Sequence, residues 1–293
     1  MLGDKTTKLR NSSLLTLAFA VFFLCATLTN TAKAQDITSG LVGYWPLDDG
    51  SGLDVTDTTG GNDGVLVNSP VWVDGRIGDA LQFSGSFATD NRVDISHSTA
   101  LEPDDLTVSL WVYRMDDDQQ EWTELLIKGQ WFSGNSSIYS YGFEQVSNTN
   151  IFKWDVSHSD GEDPVMSNVV PDRTWTHLVG TYNSATKYVS IYQDGVLIDT
   201  QYRSGTRVKT SYPIVLGCYG AGQCTTQNSG HFQGKLDEIR IYDRALSAED
   251  ITLLYSSFPH ALPACDGPHE AVMLYNAAKK VMQYCNGTEW ISV

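Results

Sequence analysis

The stretch GKLDEIRIYDRALSAEDITLLY, residues 234–255, decides how the rest of the chain is read. If residues 236–242 form a regular β-strand, Asp237 points to the same face as Ile239 and Ile241, and Glu238, Arg240 and Tyr242 point to the other. A carboxylate aimed where isoleucines go needs a partner, a metal or a proton, because burying an unpaired charge is costly. Asp237 is therefore a candidate for a catalytic acid, a metal ligand or a structural acceptor. Ser247 then precedes Ala248, Glu249 and Asp250, a serine N-cap with acids in the first turn, and ITLLY supplies helical apolar spacing. The stretch predicts a strand followed by a short closing helix.

Working back from it, residues 41–243 alternate short β-rich runs with turn residues. LVGYW, LTVSLWVY, TELLIKG, YGFEQV, IFKWDVSH, TWTHLVGTY, KYVSIYQDGVLIDTQY and PIVLGCY are the clearest strands. In LTVSLWVY, Leu106, Val108, Leu110 and Val112 share one face, as a half-buried strand requires. Asp194-Gly195 between two β-rich runs is a strong hairpin signal. Many short strands with regular turns predict an all-β fold, a two-sheet antiparallel sandwich over residues 40–256, long enough for one large core.

The start of the chain reads differently. KTTKLR at 5–10 is basic, residues 14–28 are continuously apolar, and Ala32-Lys33-Ala34 has the small residues of a signal-peptidase site. Residues 1–34 are expected to be a secretory signal, because the apolar run falls short of the roughly 20 residues that span a bilayer. Removing them leaves 15 basic against 34 acidic residues, a net charge of −19. This excludes a phosphate-tracking nucleic-acid partner, whose binding rests on Lys and Arg contacts. The same balance suits a secreted, extracellular or periplasmic protein in a calcium-containing medium. Four cysteines remain, Cys218, Cys224, Cys265 and Cys285, an even count that favours disulfides in an exported chain. Of the three possible pairings, the local one is expected, Cys218 with Cys224 and Cys265 with Cys285.

GLVGYWPLDDGSG, DTTGGNDGVL, GRIGDALQFSG, LTVSLWVY, TWTHLVGTYN, IYQDGVLI and FQGKLDEIRIYDRALSAEDITLLY follow one another in an order and spacing that resembles the LamG-like jellyroll domain of the concanavalin A-like lectin/glucanase superfamily. The resemblance covers roughly residues 40–255 and implies a jellyroll sandwich. It does not imply one function, since that fold carries lectins, adhesion modules, hydrolases and accessory domains. It also implies a structural Ca²⁺ where the first and last strands meet, near the loop Asp57 to Gly64. The candidate ligands are Asp57, Asn62 and Asp237, with Asp48 and Asp63 behind them, because Ca²⁺ takes six to eight oxygens of this kind. The competing reading makes Asp57 and Asn62 turn formers that bond their own backbone and Asp237 an acceptor of backbone N–H groups. His177 in TWTHLVGTY matches a structural Trp-x-His position of the family, with Trp175 on the same face.

Catalysis finds little support. Hydrolases on related sandwiches carry acids at alternate positions of one strand, whereas Asp237 and Glu238 are adjacent, and Glu121 and Glu124 are three apart and fall on opposite faces. No nucleophile elbow, His-Glu-x-x-His or P-loop is present, and His97, His158 and His231 lack cysteine or histidine neighbours in sequence, which disfavours zinc. A glycoside hydrolase or polysaccharide lyase stays as an alternative, as does a purely structural surface domain. The expected function is noncatalytic binding of a glycan or other cell-surface ligand. Sugars are gripped by aromatic faces with polar handles, and Trp131, Tyr139, Tyr141 and Trp154 are the candidate ligand-binding residues, although alternate spacing would equally make the last three sheet core. The loop from Cys218 to Cys224 is a second candidate. Residues 257–264, rich in proline, read as a linker. Residues 265–293 read as a small C-terminal module, either a disulfide hairpin or a helix, with the hairpin preferred.

Overall fold

The alternation in the sequence is realised as two antiparallel sheets facing each other, with one short helix on the outside of the first. The computed structural model describes residues 36–86, 89–115, 123–132, 136–147, 149–161, 164–219, 230–257, 273–276, 281–285 and 290–292. Residues 1–35, Cys224, Cys265 and the linker 258–264 lie outside these, and with them the expected signal and the cysteine pairings. The first sheet runs, edge to edge, Val196–Tyr202, Tyr188–Gln193, Trp175–Asn183, Leu106–Arg114, Gln233–Tyr242, Asp79–Ser84 and Val71–Asp74, with Leu41–Trp45 also on Gln233–Tyr242. The second runs Val165–Met166, Phe152–Val156, Ser136–Gln145, Glu124–Phe132, Ile214–Leu216, Arg92–Ile95, Gly64–Val67 and Asp54–Val55. Met273–Asn276, Val281–Cys285 and Trp290–Ser292 form a separate three-stranded sheet, so these residues adopt strands and not the alternative helix. Among the described residues, no helix is long and apolar enough to cross a membrane.

Leu106, Val108, Leu110 and Val112 all enter the core between the sheets, as their alternation predicts. They meet Leu126, Tyr141, Phe143 and Trp154 of the second sheet. Trp154 reaches the first sheet at Gly180, where an added Cβ would lie 2.1 Å from the indole Cδ2. The missing side chain is what admits the ring. Asp194 and Gly195 carry φ of 51° and 80° in the hairpin between Tyr188–Gln193 and Val196–Tyr202, the left-handed pair that suits strand twist.

The last strand departs from the regular alternation. Asp237 pairs with Trp111 but Arg240 pairs with Ser109, so two residues, Glu238 and Ile239, stand opposite one. Glu238 takes φ of 56°, and the extra residue is a β-bulge that resets the side-chain phase. Leu236, Ile239 and Ile241 consequently face the core while Asp237 faces away from it, alongside Trp111. The expectation that Asp237 shares a face with Ile239 and Ile241 is overturned, since a one-residue insertion exchanges the two faces. The bulge falls where the strand changes neighbours, from Asp79–Ser84, paired up to Leu236, to Leu41–Trp45, paired from Ile239.

The outer face of the first sheet is apolar too. Trp111, Val179, Tyr192 and Tyr242 pack under Leu246, Ile251 and Leu254, the last two from the helix Ala248–Ser257. Asp250 N donates to Ser247 Oγ at 3.1 Å and Ser247 N to Asp250 Oδ2 at 3.3 Å, a reciprocal cap of the kind the sequence predicts. His177 is sealed in this layer, its Nε2 2.8 Å from Ser109 Oγ and its ring 5.1 Å from Trp111. Burial, with Arg240 and Arg76 nearby, drives its pKa down to about 3. It is a packed, neutral histidine, in keeping with its expected structural role.

Candidate functional site

Polar side chains converge on the outer face of the second sheet. Glu124 pairs with Glu144, and Glu144 with Lys153, across three neighbouring strands. One register step along, Ile127, Gly142 and Asp155 occupy the same face. A bulge between Lys128 and Gly129 brings Tyr139 to this side, where its hydroxyl donates to Asp155 Oδ2. Glu124, Ile127, Tyr139, Gly142, Glu144, Lys153 and Asp155 line a narrow groove.

Among the described residues, the groove holds one cation and three acids. Lys153 Nζ lies 2.9 Å from Glu144 Oε2. Burial opposes its charge, but Glu144, then Glu124 and Asp155, outweigh that and hold its pKa above the ordinary lysine value. The groove lining thus combines carboxyl groups, a phenol and an ammonium, largely buried. Gly142 leaves the floor low beside Ile127, an apolar patch next to hydrogen-bonding groups. This combination can orient a polyhydroxylated ring by hydrogen bonds while covering its C–H face.

Of the aromatic residues expected at the binding rim whose side chains are described, Tyr139 lines this groove. Tyr141 and Trp154 are 0% exposed between the sheets. Tyr141 Oη donates to Leu101 O at 2.8 Å and Trp154 Nε1 to Thr181 O at 3.2 Å. Both serve the core, which corrects their assignment as ligand-binding residues: the strand alternation that would place them on a rim also places them inside. Trp131 belongs to Glu124–Phe132, and its side chain lies outside those described. Sequence reasoning missed Glu124, Glu144 and Asp155 as a set, since they are far apart in the chain and only strand pairing assembles them. Glu124 was weighed only against Glu121, its neighbour in sequence.

The expected metal ligands separate into two places. Asp57 Oδ1 accepts from Tyr44 N (2.9 Å), Thr59 N (3.0 Å) and Thr59 Oγ1 (2.7 Å), and Oδ2 from Asn62 N (3.2 Å) and Asn62 Nδ2 (3.0 Å). Asp63 Oδ1 accepts from Asp57 N at 2.8 Å. A carboxylate surrounded by five donors presents hydrogens, not lone pairs, to its surroundings. Asp57 and Asn62 therefore form the loop's own turn network and do not fit Ca²⁺.

Asp237 is different. Its Oδ2 accepts from Arg76 N (2.7 Å) and Ile77 N (3.0 Å), while Oδ1 is buried with no hydrogen bond. Burial, then Glu238 and Asp48, raises its pKa to about 9. Asp48 reaches the same loop, accepting from Asp79 N at 2.7 Å. Cβ atoms on Gly75 and Gly78 would come within 2.7 Å of Asp237 Oδ2 and 2.1 Å of Asp48 Oδ1. An orphaned carboxylate oxygen beside a glycine cradle and a second acid is a setting a hard cation fits. Glu238 stays apart, held by Tyr44 Oη and Arg240, each at 2.8 Å.

A family model described as Concanavalin A-like lectin/glucanases superfamily matches residues 87–252. The fold is similar to the binding domain of Paraclostridial Mosquitocidal Protein 1, at TM-score 0.61 and 14% identity over 84% of this chain and 63% of that one. It is similar also to the binding domain of Botulinum Neurotoxin DC solved in complex with SialylT, at 0.57 and 14% over 76% and 53%. A third is Domain 4 of AbnA, a GH43 extracellular arabinanase from Geobacillus stearothermophilus in complex with arabinotriose, at 0.52 and 19% over 73% and 98%. This chain thus spans about half to two thirds of the toxin binding domains, and nearly all of the arabinanase domain. No curated protein matches the sequence.

Proposed function

We propose that this chain, which belongs to the Concanavalin A-like lectin/glucanases superfamily, is an exported, noncatalytic module that binds a surface glycan at the groove of the second sheet. The observation that carries the reading is the convergence of Tyr139, Glu144, Lys153 and Asp155, from two adjacent strands, around the apolar floor of Ile127 and Gly142. The complexes of similar folds with SialylT and arabinotriose support the class of ligand. Export is inferred from the basic, apolar and small-residue succession of residues 1–34 and the acidic balance of the remainder.

A glycan array probed with the purified chain, followed by titration of the hits against Asp155→Asn and Tyr139→Phe, tests the proposal. Loss of binding at an unchanged unfolding midpoint is the expected result. A flat array, or hits indifferent to both substitutions, would leave a structural surface domain as the better reading.

Hydrolysis is the competing reading that one observation favours. Glu124 and Glu144 are directly opposite across a strand pair, which places Cβ atoms about 4.5–5.5 Å apart, within reach of the spacing a retaining glycosidase needs. That chemistry requires one carboxyl to carry a proton, whereas Glu144 is engaged by the Lys153 ammonium at 2.9 Å. Binding is therefore the stronger reading, and the absence of reducing-sugar release from array-positive glycans checks it.

We further propose that Ca²⁺ is held by Asp237 Oδ1 and Asp48 at the loop Gly75 to Gly78, away from the groove residues, as a stabiliser of the junction between Leu41–Trp45, Asp79–Ser84 and the last strand. The unbonded oxygen and the glycine cradle support this assignment.

A further inference from the structure

A second cluster lies at the start of the last strand. Asp90, Cys218 and His231 each offer a ligand atom, and these atoms lie within 4.8 Å of one another. All three residues are buried, at 7%, 0% and 1% exposure. They come from three segments: Asp90 just before Arg92–Ile95, Cys218 just after Ile214–Leu216, and His231 just before Gln233–Tyr242. The expectation that His231 has no cysteine for company holds along the chain and fails in space.

The two oxygens of Asp90 are in different situations. Oδ2 receives Arg92 NH1 at 2.5 Å and Asn68 Nδ2 at 3.3 Å. Oδ1 is buried without a hydrogen bond, 3.8 Å from His231 Nε2. That distance exceeds a hydrogen bond but matches two ligands of one small ion, since tetrahedral Zn²⁺ with ligands at about 2.0–2.3 Å separates them by roughly 3.3–3.8 Å. Arg92 and Asn68 would orient the ligating carboxylate from behind, as outer partners of metal ligands do. The Cys218 sulfur is disulfide-bonded, and a disulfide sulfur is a poor donor whereas a thiolate is a strong one.

We propose that Asp90, Cys218 and His231 form a redox-gated site for a zinc-class divalent ion. A dithiol reductant cleaves the Cys218 disulfide by exchange, becoming a disulfide itself and leaving two protein thiols. The incoming ion displaces the proton of the Cys218 thiol to solvent and binds the resulting thiolate, the His231 imidazole and Asp90 Oδ1. An S, N, O donor set selects Zn²⁺ and its neighbours over Ca²⁺, so this site and the Asp237 loop would answer to different ions. Three protein ligands leave a fourth position for water.

The test uses the whole chain and Co²⁺ as a spectroscopic probe, before and after reduction by a phosphine that does not bind the metal. The reduced protein is expected to take up Co²⁺ with a thiolate-to-cobalt charge-transfer band that the oxidised protein lacks. Asp90→Asn and His231→Gln should each weaken uptake at least ~10-fold. Uptake independent of reduction, or a band that survives both substitutions and so arises from other cysteines, overturns the proposal. Should reduction unfold the chain, Zn²⁺ must raise the unfolding midpoint of the reduced protein, and failure to do so overturns it equally.

Discussion

His177 gives the most direct check on the buried layer under the helix. Its imidazole is fully enclosed by Ser109, Trp111 and Tyr255, with Arg76 and Arg240 close enough to oppose a proton. The pKa falls from the ordinary 6.5 to about 3. The unfolded chain therefore takes up a proton near pH 6.5 that the folded chain refuses until near pH 3. Stability from this group is fully present above pH 6.5 and is lost as pH falls toward 3. At about 1.36 kcal/mol per unit, lowering pH from 6.5 to 4.5 removes roughly 2–3 kcal/mol. The assay is urea unfolding of the wild type and His177→Gln across that range. Because the other titrating groups are common to both, the difference between the two proteins isolates the histidine. The variant carries a fixed packing penalty, and wild type should lose its advantage steadily on acidification, by roughly 2–3 kcal/mol at pH 4.5. In parallel, the wild-type imidazole should stay unprotonated by NMR at pH 5. A pH-independent difference, or a histidine titrating near pH 6, would refute the argument that this layer is dry and closed.

Gly180→Ala should cost ~2–3 kcal/mol by overpacking, since the new Cβ meets Trp154 at 2.1 Å; Trp154→Phe in the same background should recover part of the loss, and both are read by denaturant midpoint. Asp237→Asn should abolish any rise of the unfolding midpoint with Ca²⁺ while leaving stability in chelator nearly unchanged, because the carboxyl with pKa about 9 is already neutral at pH 7 without a cation; a Ca²⁺ response that persists in the variant would remove Asp237 from the site. Ser247→Ala should destabilise by about 1 kcal/mol through loss of the reciprocal cap with Asp250. Glu144→Gln should weaken glycan binding at least tenfold without changing secondary structure by circular dichroism, and unchanged affinity would place the ligand elsewhere.

The fold was legible because its longest strands are the ones whose alternation is least disturbed. LTVSLWVY and TWTHLVGTY read correctly, as did the Asp194-Gly195 turn and the helix cap at Ser247. Short strands such as Gly64–Val67 and Arg92–Ile95 carry too few residues for a period to stand out, and they go unread in the sequence. Asp237 was misplaced because a bulge adds one residue without any compositional mark; Glu238 in a left-handed conformation is invisible to a residue count. The loop Asp57 to Gly64 is ambiguous for a related reason. Asp and Asn in a glycine-rich loop look alike whether they bond a cation or their own backbone, and Asp57 does the latter. The groove was unreadable in principle from local sequence, since Glu124, Glu144 and Asp155 share a face only through the pairing of three strands.

The pairing of Leu41–Trp45 with the last strand has an architectural consequence. Asp243 N donates to Gly40 O at 2.8 Å, so the first strand begins where the last one ends, and the helix Ala248–Ser257 folds over the first sheet directly from that junction. A break or insertion at this one point would therefore part the first strand from the last and lift the helix off the layer it covers.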